Sequence, residues 1–111
     1  MNIHSYKEDG HMKNELDELT IDKISRVFQT ISYPTRIQIL YLLREQPLPV
    51  SEIAASLDME QSTVSHQLRI LKDDDLVRST RQGKSIIYAI ADEHVFSIFD
   101  MAIEHVMEGE K

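Results

Sequence analysis

Apolar residues recur at helical spacing along most of this chain. From Glu15 to Ile31, Leu16, Leu19, Ile24, Val27, Phe28 and Ile31 make an irregular stripe that predicts a first helix. Tyr33-Pro34 interrupts it, and Pro34 suits the start of a second helix over Thr35 to Arg44, rich in core candidates: Ile37, Ile39, Leu40, Leu42 and Leu43. Pro47 and Pro49 bracket a short linker. A third helix runs from Ser51 to Leu57, with Ser51 as N-cap, Glu52 at the positive helix end, and Ile53, Ala54 and Leu57 on one narrow face. Asp58-Met59-Glu60 reads as a turn. A fourth helix, Gln61 to Asp73, buries Val64, Leu68 and Leu71, spaced i, i+4, i+7. Leu76 to Arg81 and Lys84 to Ile90 read as strands around a Gln82-Gly83 turn, where Gly83 supplies positive φ. Asp92 then caps a last helix ending near Met107, with Gly109 beyond it. Val95, Ile98, Phe99, Ala102, Ile103 and Val106 form its apolar side.

The polar face of the fourth helix carries Gln61, Ser62, Thr63, Ser65, His66, Arg69 and Lys72, with no carboxylate before Asp73. A helix that serves only solubility would mix in Glu. One that lies against phosphates and base edges cannot, because a carboxylate there repels the backbone. The pair of helices therefore reads as a helix-turn-helix with the second as the reader. A plain amphipathic pair with a Ser/Thr/Gln-rich solvent face is the competing explanation. The hairpin weakens it: Arg81, Gln82 and Lys84 stand at the tip and Arg78 at the base. A basic-tipped hairpin directly after a reader helix is a winged helix-turn-helix. The expected fold is α+β and mostly helical, with a two-stranded wing.

Three segments in order, YPTRIQILYLL, QSTVSHQLRILKDDDLV and RQGKSIIYAI, resemble the ArsR/SmtB family of metal-responsive winged-helix repressors. The resemblance spans roughly residues 20–108. It implies a homodimer that binds a palindromic operator and leaves it when metal binds, with the first and last helices at the dimer interface. Arg36 reads as a structural or backbone-contacting charge rather than a base reader.

A length of 111 residues fits one domain, here residues 14–108, preceded by a polar tail over 1–13 that reads as flexible. No apolar run approaches a membrane span and the first 14 residues lack an apolar signal core, so a cytoplasmic protein without a membrane partner is expected. The absence of cysteine excludes disulfides and thiolate metal sites. A net charge of −7 would seem to oppose DNA binding. The distribution removes the objection: residues 1–19 carry −3 and 92–111 carry −5, whereas 61–91 carry +2. Affinity follows the local field, not the total.

His94 and His105 are eleven residues apart on the last helix, so they share a face but stand about 16 Å apart along the axis. With a zinc–nitrogen bond of about 2 Å, no single ion reaches both within one helix. Two antiparallel helices across a two-fold axis would bring His94 of one chain to His105 of the other. Glu108 lies one turn after His105, and Asp92, as an N-cap, can swing toward His94. The pattern D-x-H, ten residues, H-x-x-E resembles the family's C-terminal-helix zinc site, in a variant with a carboxylate at 108. The candidate ligands are Asp92, His94, His105 and Glu108, which suit zinc, with cobalt or nickel as weaker competitors. Missing thiolates argue against copper(I), arsenite and a soft cadmium site. A second site using tail histidines His4 and His11 is disfavoured because the third helix has no cysteine to complete it.

Two rivals stand beside a zinc-responsive repressor. A small metallohydrolase would need an open metal position, a base and a pocket, and no other catalytic grouping is present; a non-enzymatic protein is expected. A winged-helix regulator that senses no metal is the other.

Overall fold

The computed structural model describes residues 15–109. Within them the order is α1 (Glu18–Ile31), α2 (Pro34–Glu45), β1 (Leu48–Pro49), α3 (Val50–Leu57), α4 (Gln61–Asp73), β2 (Val77–Gln82), β3 (Ser85–Ile90) and α5 (Glu93–Glu108). This is the mostly helical winged helix-turn-helix. The tail residues, His4 and His11 included, lie outside the described residues.

Several boundaries differ from expectation, each for a local reason. Helix α1 starts at Glu18 rather than Glu15, because the Asp17 carboxylate accepts from the Thr20 N–H at 2.7 Å and caps it. That bond holds the Asp17 carboxyl below its ordinary pKa. Pro34 is the first residue of α2, where its missing N–H leaves no bond unmade. Ser51 does not cap α3. The helix already begins at Val50, after Pro49 in extended conformation.

The sheet explains why. Leu48 and Pro49 pair antiparallel with Tyr88 and Ile87, so the chain passes from a strand directly into α3. The wing sheet is thus three-stranded, in the order β1-β3-β2, and not the expected two-stranded hairpin. Pro49 is tolerated because β1 is an edge strand. Gln82 pairs with Ser85, which makes Gly83-Lys84 the turn instead of Gln82-Gly83. Gly83 has the positive φ the turn demands, +63°.

One core joins the elements. It holds Ile39, Leu40 and Leu43 of α2, Ile53 and Ala54 of α3, Val64, Leu68 and Leu71 of α4, Leu76 and Val77, and Phe99 of α5. The reader helix is therefore backed by the same apolar cluster that anchors the wing and α5.

Both helices of the helix-turn-helix end alike. After α3 the Met59 N–H bonds to Ala54 O and the Asp58 N–H to Ala55 O. After α4 the Leu76 N–H bonds to Leu71 O and the Asp75 N–H to Lys72 O. These are Schellman ends, and each places an aspartate in the left-handed region, Asp58 at φ 55° and Asp75 at φ 60°. Both backbone strain and a negative charge at a helix C-terminus oppose that choice. Asp58→Gly is expected to raise stability by about 0.5 kcal/mol, after the entropy cost of glycine. A urea midpoint that falls, at unchanged slope, would contradict it.

Candidate functional site

On α4, Gln61, Ser62, Thr63, Ser65, His66 and Arg69 are all exposed, opposite the buried Val64, Leu68 and Leu71. The wing residues Arg81, Gln82 and Lys84 are exposed too. The fold brings the two together: Gln61 and Ser65 line one groove with Lys84 and Ser85 of the wing. Lys72 departs from the reader face. Its Nζ donates to Ser79 Oγ at 2.7 Å and ties the end of α4 to β2. Arg78, at the wing base, donates to the Ala91 carbonyl at 3.0 Å, next to the start of α5.

The acidic run after the reader helix is partly turned inward. Asp74 accepts from Arg26 Nε at 2.9 Å and from Thr30 Oγ1 at 2.5 Å, and Thr30 is buried. Arg36 donates Nε to Gln67 Oε1 at 2.9 Å and Nη1 to the Thr30 carbonyl at 3.0 Å, and lies over the Tyr33 ring at 4.2 Å. Arg36 is thus occupied by structural partners. Sequence reasoning missed this network. The seven-residue spacing of Gln67 and Asp74, which puts both on one face of α4, was the available signal.

Helix α5 is unbroken from Glu93 to Glu108, so His94 and His105 do share a face and stand turns apart. Asp92 caps it. Its Oδ1 accepts from the Val95 N–H at 3.1 Å and lies 3.6 Å from His94 Nδ1. The swing expected of an N-cap carboxylate is therefore present. The Val95 bond first, then the contacts to His94, hold the Asp92 carboxyl below its ordinary pKa. The sign is that of a depressed acid: any stabilisation by this cap is complete above the unfolded pKa and is lost as pH falls through the folded one. Asp92 is consequently an anion at neutral pH, as a ligand must be.

His105 and Glu108 are exposed near the far end of α5. Among the described residues, no three His, Asp or Glu side chains of one chain are grouped closely enough to hold a metal. Asp100, an acid of the same helix, is taken by Arg44 Nε at 2.6 Å and is not available as a ligand. Between the two histidines, on the same face, lie the exposed apolar residues Ile98 and Met101. The donor set of two imidazoles and two carboxylates fits a divalent ion of zinc type, provided two chains contribute.

Among the described residues no helix is long and apolar enough to cross a membrane. Residues 33–79 match the family model described as bacterial regulatory protein, arsR family. Over 90 residues the chain is 43% identical to the HTH-type transcriptional regulator NmtR of Mycobacterium tuberculosis, covering 81% of this chain and 75% of that one. Over 107 residues it is 31% identical to the cadmium resistance transcriptional regulatory protein CadC homolog of Staphylococcus aureus, covering 96% and 84%. The homodimeric winged helix-turn-helix DNA-binding domain Mb0332 of Mycobacterium bovis superposes with a TM-score of 0.80 at 31% identity, covering 88% of this chain and 93% of that one. With the reader, the wing and these likenesses together, the chain belongs to the ArsR/SmtB family of winged-helix regulators.

Proposed function

We propose that the protein is a metal-responsive transcriptional repressor: a homodimer that binds operator DNA and is released when zinc binds between the α5 helices of its two protomers. The observation that carries this reading is on α5. One unbroken helix presents His94, with Asp92 beside it, and His105, with Glu108 one turn on, along a single exposed face. The distance between the two histidines calls for a second chain. The same face supplies a reason for that chain to come, since Met101 is 66% exposed and Ile98 43%. Helix α1 adds Ile24 and Phe28, one turn apart on the same side, to the uncovered apolar surface. Patches of this kind mark contact sites rather than ordinary surface. Likeness to a homodimeric domain and to a cadmium resistance regulator supports both halves of the reading.

Operator contact is assigned to Gln61, Ser62, Thr63, Ser65, His66 and Arg69 of α4 and to Arg81, Gln82 and Lys84 of the wing. Metal contact is assigned to Asp92, His94, His105 and Glu108. A bound zinc ion would cross-link the two α5 helices without any reaction. Because it ties two protomers, it favours one dimer geometry over another, and a coupling of about 1–3 kcal/mol suffices to change operator occupancy. Zinc is preferred to cobalt or nickel for its tolerance of tetrahedral nitrogen and oxygen ligands, and a soft ion would lack a thiolate. The protein is read as cytoplasmic, without enzymatic activity and without a membrane partner.

The test is a titration of a duplex carrying the inverted repeat that the protein itself selects from a random library. It is run at fixed salt, with and without zinc. Zinc is expected to weaken binding at least about tenfold. Equal affinity, with no zinc retained on dialysis, would leave a winged-helix regulator that senses no metal.

A further inference from the structure

The back of the reader helix is fastened to α1 by polar contacts that the operator reading does not use. Gln67 and Asp74 are seven residues apart, about 20° short of two full turns, and so face the same way. Gln67 is two residues from both Ser65 and Arg69, about 160° around the helix from each, and it follows the exposed Thr63 by one turn, about 40° away. It is half-buried, and its Oε1 accepts from Arg36 Nε at 2.9 Å. The same guanidinium donates to the Thr30 carbonyl in the last turn of α1 and is stacked on Tyr33. Two turns later, Asp74 is held by Arg26 and Thr30 of α1.

Helix α1 also carries Ile24 and Phe28, one turn apart on one side and 42% and 57% exposed, in the apolar surface assigned above to the dimer contact. One cation therefore joins the reader helix to an element that meets the second protomer. We propose that Arg36 and Gln67 are a positioning pair that sets the angle of the reader helix relative to the dimer, and that Gln67 does not touch DNA. This rests on the operator-binding reading.

A neutral amide and a carboxylate differ oppositely in the two roles. Opposite Arg36, Gln67→Glu keeps an acceptor and adds opposite charge. Facing phosphates, the same change would repel the backbone. Gln67→Met removes the acceptor at similar volume and leaves the guanidinium one partner short.

The experiment measures binding of the full-length wild type, Gln67→Glu, Gln67→Met, Arg36→Met and the Arg36→Met/Gln67→Met double variant. The probes are the selected inverted-repeat duplex and a random duplex of equal length, across a salt series. Gln67→Glu is expected to stay within about threefold of wild type on both, with the same salt slope. Each single Met variant is expected to lose at least about tenfold on the inverted repeat only, and the double variant no more than the larger single loss, because the pair acts as one unit.

A tenfold loss for Gln67→Glu on both duplexes overturns the proposal, and so does additive loss in the double variant. If the Met variants melt below the assay temperature, Gln67→Glu decides alone. Wild-type protein that binds the two duplexes equally would overturn the operator reading and this proposal together. Discrimination by wild type with a failing Gln67→Glu overturns only the pair.

Discussion

Mixing Asp92→Ala/His94→Ala protein with His105→Ala/Glu108→Ala protein is expected to restore tight zinc binding to about one ion per mixed dimer, although neither variant alone binds zinc tightly. Helix α5 is continuous. Its rise separates the two histidines by about 16 Å, beyond the reach of one ion. If each site takes Asp92 and His94 from one chain and His105 and Glu108 from the other, a mixed dimer concentrates the damage. One site loses all four ligands and the other keeps all four. If each chain made its own site, both would stay broken in every combination. Half the stoichiometry expected of a two-fold dimer is thus the signature of a shared site. All four side chains are exposed in the single chain, so the substitutions leave the core untouched. Subunit exchange verified by native mass spectrometry, without recovered zinc binding, would sink the shared site. Full-affinity binding by either variant alone would show that the ligands lie elsewhere.

The second large effect belongs to the reader. Ser65→Ala with His66→Ala should lower affinity for the inverted repeat by at least about a hundredfold. A good base contact is worth about 1–3 kcal/mol, and each dimer loses two of every residue. Affinity for random duplex should change little, because the phosphate-directed charges remain. Both side chains are exposed, so stability should hold within about 0.5 kcal/mol. The wing behaves oppositely. Arg81→Ala or Lys84→Ala should weaken binding to both duplexes and flatten the salt dependence, by roughly one unit of slope for each phosphate no longer neutralised. Equal losses on the two duplexes for the α4 variant would remove base readout from that helix.

The reader helix was legible from its residues down to its ends, Gln61 and Asp73. A two-sided pattern, buried Val64, Leu68 and Leu71 against a run without carboxylates, is local information. So is the Asp92 cap, since a side chain bonding to an N–H three residues on needs nothing distant. The eleven-residue interval between His94 and His105 fixes their shared face and their separation by helix geometry alone.

What the pattern could not reveal depended on partners far along the chain. Ser51 looks like a helix cap from its neighbours. Only the pairing of Leu48 and Pro49 with Tyr88 and Ile87, about 40 residues on, pulls the start of α3 back to Val50 and adds a third strand to the wing. Lys72 looks like a reader until β2 brings Ser79 to it, and Arg36 shows no partner until α1 and α4 meet around it. Helical and strand periodicities report which side of an element is apolar. They do not report which polar groups the packing of those sides brings within about 3 Å of each other, a distance that hydrogen bonds require. The sequence thus determined the elements, the acid-free face and the candidate ligands. The tertiary structure alone decided which cations are free to meet DNA and which hold the reader in place.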